Sequence, residues 1–425
     1  MLVIIQLAIS ILILIICFRR GRLISSVSFW VICYEMIFVV APWALEKQVF
    51  SHAKEIEIYS TVGIFLFGVG MLFSRHLIKI RLFPVDSIIY KNMDELPHVF
   101  FQAHVAYWVI FVITAVLIII EIGSNGIRGV FIGSISATTL SLEDTVASSH
   151  YYSYSGFLLI PSLLVVWMSA VNDNQKRERI WCLVSFVIIQ AVFSFTRVWL
   201  ICTVTIVLIF EIQKYKEYTK LFFLLAVFIV GILVMSFLNI MRGLGIGNVV
   251  LSSVLNYENI ISGADFFASY KWFNRLLDIE PPYINPIVYF KPVYAFIPRS
   301  IWPSKPSQMS LQILKMLEPA LAASGYSTAG NSVLGEGYAV LGKPGIFIWP
   351  FVWGLLCERI DKNQYERIAG GKLKCLACLF YYIFAVFIVV SAQRGDWSQY
   401  MIQFLWMFML PAYLLVKVCL LNLRR

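Results

Sequence analysis

Charge is scarce in this chain: Asp, Glu, Lys and Arg make up 14% of its 425 residues, against 60% hydrophobic ones. So few polar groups cannot cover so large an apolar interior, which excludes a soluble globular protein and points to a membrane protein. Histidine is rare as well, with 5 in the chain and none between positions 241 and 343. The 8 cysteines lie inside apolar runs or at their ends, which leaves none for an external disulfide. Cys375 and Cys378 form a CxxC, but it opens an apolar run, and helix packing is the plainer reading of the pair. The net charge of +10 is spread over many short segments without a continuous basic patch, so nucleic acid is excluded as a partner.

What the chain has in abundance is apolar length. A helix needs about 20 apolar residues to cross about 30 Å of hydrocarbon. Eleven runs approach that length: 2–18, 24–44, 58–74, 104–122, 152–171, 180–196, 198–212, 221–240, 344–357, 375–392 and 401–418. The first has no basic residues before it and no small-residue cleavage site after it, so it reads as a retained span. The expected fold is an all-α polytopic membrane protein. A bundle of about eight spans fills 1–240, a folded cap 241–343, and a bundle of about three spans 344–425.

Lys and Arg gather in alternate connections, at 19–22, 75–91, 176–179, 214–220, 359–374 and 417–425. The intervening short connections hold only Lys47, Lys54, Arg128, Arg197 and Arg394. By the positive-inside rule the C-terminus is cytoplasmic and the cap faces outward, into the bilayer surface and the space beyond. Aromatic anchors, among them Trp272, Tyr289 and Trp302, and prolines recurring from Pro281 to Pro306 make the cap a folded element of short helices and not a disordered loop.

An outward site has no access to nucleotide sugars or ATP, so an anionic substrate there is lipid-linked, such as a polyprenyl diphosphate sugar. Arginine suits a diphosphate because its planar fork makes paired, charge-assisted hydrogen bonds; lysine serves as a point charge. The candidates are Arg197 in FTRVW, Arg242 in RGLGIG, Arg275, and the pair Arg299 and Lys305 in AFIPRSIWPSKPSQ, with Trp302 seated at the interface. Arg242 has a plain alternative in snorkelling at a helix end. Arg197 interrupts the apolar stretch 180–210 and is a functional candidate for that reason. Glu35 and Glu121 are weaker ones, with structural pairing as the alternative.

A second unusual stretch is TAGNSVLGEGYAVLGKPG at 328–345. Glu336 lies there between two glycines, where a backbone or a sugar can approach closely and a carboxylate can take a proton from an attacking hydroxyl. The alternative is that the glycines serve helix packing and Glu336 pairs with an arginine. Asn331 and Tyr338 of the same stretch are candidate substrate-binding residues. The cap's acids, Glu258, Asp265, Asp278, Glu280, Glu318 and Glu336, show no DxD-like pairing, so neither a metal nor a cofactor is expected.

IPRSIWPSKPS at 297–307, NSVLGEGYAVLGKPG at 331–345, the FTRVW arginine and a many-spanning bundle with one long outer loop together resemble the Wzy-type oligosaccharide repeat-unit polymerases of O-antigen and capsule. The resemblance implies a C-type membrane glycosyltransferase in a bacterial inner membrane. It would transfer a growing chain from undecaprenyl diphosphate to the non-reducing end of a new lipid-linked repeat unit. It further implies Arg197, Arg242 and Arg299 as diphosphate ligands supported by Lys305, Glu336 as base or acceptor ligand, and a chain-length regulator and a flippase as partners. The alternatives are a flippase or transporter of the same lipid-linked sugars, and an O-antigen ligase. A ligase is expected to carry a functional histidine in the long loop, and this cap has none. A receptor or scaffold would not need the cations and the carboxylate.

Overall fold

The computed structural model describes residues 1–45, 49–74, 96–139, 151–190, 197–212, scattered positions between 215 and 233, and then 265–279, 284–295, 297–298, 300–323, 330–369 and 381–421. Among these residues every regular element is helical. In chain order the helices are α1 (Leu2–Arg19), α2 (Ser26–Ala44), α3 (Ala53–Phe73), α4 (Leu96–Thr139), α5 (Tyr151–Ser169), α6 (Asp173–Ile189) and α7 (Arg197–Ile212). The cap contributes α8 (Asp265–Leu277), α9 (Lys291–Tyr294), α10 (Met309–Leu317), α11 (Pro319–Ala323) and α12 (Ser332–Leu341). After them come α13 (Lys343–Ala369), α14 (Val389–Ala392) and α15 (Trp397–Val418).

Among the described residues, 5 helices are long and apolar enough to cross a membrane: α1, α2, α3, the Val99–Ile120 part of α4, and α15. The expectation of eleven is therefore met in part. Ser155–Ser169 and Trp199–Ile212 are apolar but shorter. α6 opens with the polar run DNQKRER, and α13 carries a polar second half. The run 221–240 lies largely outside the described residues.

Aromatic stacking and close backbone approach hold the helices together. Trp30 of α2 stacks on Phe67 of α3 at 3.8 Å and on Tyr34 at 4.6 Å. α3 and α13 touch backbone to backbone, because a Cβ on Gly70 would sit 2.2 Å from the Phe351 carbonyl and one on Gly354 would sit 2.1 Å from that of Phe67. Trp199 of α7 stacks on Phe387 at 3.8 Å. The outer faces of the long helices remain apolar, with Ile4, Leu12, Phe65, Phe101 and Ile119 exposed, as helices solvated by lipid require.

Polar anchors fix α13, and through it α12. At one end Asp361 accepts the backbone N–H groups of Ser26 and Val27 at 2.9 and 3.0 Å and the Tyr381 hydroxyl at 2.8 Å, satisfying donors that α2 leaves open at its start. Glu358, one turn earlier, meets Arg20 at 3.3 Å and Arg22 at 3.6 Å. Glu35 takes the structural alternative: it accepts from Gln6 at 3.0 Å and Ser10 at 2.5 Å, and Gln6 in turn accepts from Ser60, so α1, α2 and α3 are tied together. Of the Glu121 side chain nothing is described.

Candidate functional site

α12 begins and ends on glycine chemistry. A Cβ on Gly337 would lie 2.3 Å from the Gly345 carbonyl, and one on Gly345 would lie 1.9 Å from that of Gly337. The two glycines let α12 fold back against the start of α13, and Gly342 turns the chain between them with φ 68°. Gly335 admits Phe273 of α8 on the other side, where a Cβ would stand 3.1 Å from that ring. The glycines around Glu336 thus serve close packing, which buries Glu336 completely, at 0% exposure.

Opposite α12 lies the turn 393–397, QRGDW, between α14 and α15. Gly395 takes φ 89°, and a Cβ there would fall 2.2 Å from Oδ1 of Asn331. The Ser332 backbone N–H donates to the Arg394 carbonyl at 3.1 Å. Ser332 and Asp396 are the non-glycine residues with positive φ among those described, at 64° and 66°. A left-handed backbone is costly for a side chain bearing a Cβ, and two such residues facing each other mark a site that the surrounding packing dictates.

Asp396 is buried and accepts from Ser310 N–H at 3.2 Å, Ser310 Oγ at 2.7 Å and Ser398 Oγ at 3.0 Å. Glu336 differs. The indole N–H of Trp349 and the backbone N–H groups of Trp397 and Asp396 are near enough to favour its charge, yet among the described residues neither of its carboxyl oxygens has a hydrogen-bond partner of ordinary geometry. Burial holds its pKa well above the usual carboxylate range, and the neighbouring Asp396 raises it further. Among the described residues Glu336 makes no ion pair, so the arginine alternative is not the one realised there.

Three aromatic rings wall this carboxyl. Tyr289 stacks on Trp349 with centroids 4.7 Å apart, and Trp397 lies 6.1 Å from each. Tyr289 donates its hydroxyl to the Glu336 carbonyl at 3.4 Å, and burial with the two acids pushes its ionisation upward. Beside them Lys291 is buried and donates to Gln399 at 3.3 Å.

The other candidates fall in different places. Asn331 is fully buried against the 393–397 turn, beside Glu336's helix. Lys305 is buried too and turns inward, its Nζ donating to the Ala295 and Ile297 carbonyls at 3.0 and 2.8 Å. It fastens its own proline-rich loop. Trp302 packs on Tyr294 at 5.2 Å and donates to Ser304 at 3.1 Å. Arg275 pairs with Glu318 and lies over the Trp272 ring at 5.2 Å, within the cap. Tyr338 donates to the Ile279 carbonyl at 3.1 Å. Arg197 opens α7, with nothing described of its side chain, and Arg242 and Arg299 lie outside the described residues.

Sequence reasoning missed Asp396, Gln393, Trp349 and Trp397, and took Tyr289 only as an aromatic anchor of the cap. A signal was present: QRGDWSQ at 393–399 is a polar run between two apolar ones, yet only Arg394 in it drew notice, as a loop cation. Among the described residues no three His, Cys, Asp or Glu side chains converge so that they could hold a metal ion.

A family model described as a domain of unknown function, DUF8712, matches residues 257–422, a stretch that contains both α12 and the 393–397 turn. The chain matches no curated protein, and no solved structure.

Proposed function

We propose that this protein is a membrane glycosyltransferase that polymerises undecaprenyl-diphosphate-linked oligosaccharide repeat units, with eleven spans, an outward cap and a cytoplasmic C-terminus. One observation carries the reading: a fully buried Glu336 that makes no ion pair among the described residues, beside Asp396 and walled by Tyr289, Trp349 and Trp397. A carboxylate whose conjugate acid is held above the usual range is a stronger base, and one in a dry site loses little strength to water. Aromatic faces suit the C–H face of a sugar ring, while polar groups at their edges fix its hydroxyls.

In the proposed step an acceptor hydroxyl attacks the anomeric carbon of the donor. The bond from that carbon to the diphosphate oxygen breaks, and its electron pair leaves with the lipid diphosphate. The hydroxyl proton passes to Glu336 and from there to solvent. Arg197, Arg242 and Arg299 are the proposed holders of the departing diphosphate. Lys305, tied to two backbone carbonyls, is assigned the support of the loop that carries Arg299.

Purified protein incubated with defined lipid-linked repeat units, without ATP or nucleotide sugar, is expected to form glycans of two and more units. A change in the sidedness of the lipid without a new glycosidic bond would replace the polymerase with a transporter.

A further inference from the structure

Around the 393–397 turn several buried polar side chains lack partners. Asn331 and Gln393 are both at 0% exposure, and among the described residues neither the nitrogen nor the oxygen of either amide makes a hydrogen bond. The Ser391 hydroxyl is in the same condition. Buried polar groups are paired in the great majority of cases, so a group of orphans at one turn needs a cause. Their chemistry is specific: an uncharged amide offers a donor and an acceptor side by side, which matches two adjacent hydroxyls of a pyranose.

We propose that the start of α12 and the 393–397 turn form a subsite for an uncharged, hydroxyl-rich sugar ring, with Asn331 and Gln393 as its specificity-determining residues and acidic sugars excluded. Tyr289, Trp349 and Trp397 supply the flat apolar wall. Exclusion follows from Asp396, a buried acid of the same turn, beside which a uronic carboxylate would meet like charge. The same charge disfavours a diphosphate at this turn, which agrees with leaving the lipid anchor to the arginines proposed for it. The inference rests on the glycosyl-transfer reading for what the sugar is attached to, and on the orphaned amides for where it sits.

The test is ligand-observed saturation-transfer NMR on the full-length protein in detergent, with methyl hexosides, methyl N-acetylhexosaminides and methyl hexuronides as probes. Neutral rings are expected to bind, and hexuronides about tenfold more weakly or worse. Gln393→Met and Asn331→Leu keep the shape and remove the polar atoms. Each is expected to weaken the neutral probes about tenfold while leaving the thermal midpoint unchanged or higher, because an orphaned polar group has been removed. Hexuronides binding as well as hexosides, through Arg394 of the same turn, would overturn the exclusion. Absence of binding by any neutral probe would overturn the subsite. Variants that bind like the parent, or that both lower the midpoint, would assign the amides to holding the turn and overturn it too. Probe binding that responds to both variants in protein that makes no polymer would remove the polymerase and leave this subsite standing.

Discussion

The backbone N–H of Ser332 donates to the carbonyl of Arg394 at 3.1 Å, and this bond fastens the first turn of α12 to the turn that carries Asp396. Two stretches more than sixty residues apart are thereby set face to face, each with a non-glycine residue in the left-handed region. The acid on one and the acid on the other are neighbours in consequence, and that proximity adds to burial in raising the pKa of Glu336.

Glu336→Gln is expected to abolish chain growth, by about 100-fold or more for a lost general base. Its effect on stability should depend on pH. Burial and Asp396 raise the folded-state pKa of Glu336 above its unfolded value. Below the ordinary carboxylate range both states are protonated, and the parent and the variant should melt alike. As pH rises past that range the unfolded chain loses the proton while the folded chain keeps it, so the parent loses stability until the raised value is passed. Thermal melting in detergent from pH 4 to pH 8 should show Glu336→Gln gaining on the parent with rising pH; a constant difference would contradict the assignment.

Asp396→Asn removes the like charge that raises Glu336. If Glu336 acts as the base, the rising limb of the pH–rate profile for chain growth should move to lower pH. The bonds from Ser310 lose their charge assistance, so a lower thermal midpoint is expected alongside the shift. An unmoved limb in a folded variant would separate the two acids functionally.

Gly337→Ala and Gly345→Ala each drive a Cβ into a facing carbonyl, at 2.3 and 1.9 Å. Overpacking of this kind costs about 1–3 kcal/mol, and backbone is the atom that would have to yield. Both variants should lower the thermal midpoint clearly. Gly123→Ala, with nothing within 4 Å of its Cβ, is the control and should leave the midpoint unchanged or slightly raised.

Lys305 and Arg299, six positions apart in one loop sequence, should separate by readout. Lys305→Met leaves the Ala295 and Ile297 carbonyls without that donor and is expected to cost about 1–3 kcal/mol of stability. Arg299→Ala is expected to leave the protein inserted at normal level while glycans stay at single repeat units, as read by gel electrophoresis of the products. Normal polymer length from Arg299→Ala would end its proposed role.

Much of the architecture was legible because lipid demands apolar length. The runs 2–18, 24–44, 58–74, 104–122 and 401–418 correspond to helices of spanning length and apolarity, since hydrocarbon tolerates little else. Glu336 was legible as a candidate for a local reason: an acid between glycines beside an apolar run is unusual wherever it occurs. Lys305 was less so. Its charge suggested an outward partner, but two carbonyls eight and ten residues earlier in its own loop lie within its reach, and loop geometry decides that.

The sequence by itself determined that this chain is helical and apolar enough for a membrane, and that Glu336 stands in an unusual local setting between glycines. Those are properties of composition and of short-range spacing, which act within a helix turn or along one apolar run. Only the tertiary structure decided that Glu336 faces Asp396, that Asn331 abuts Gly395, and that Tyr289, Trp349 and Trp397 enclose them. Such pairings depend on how α12, α13 and the 393–397 turn pack. Packing is set by close glycine contacts and buried hydrogen bonds between residues distant in the chain, which no local pattern encodes.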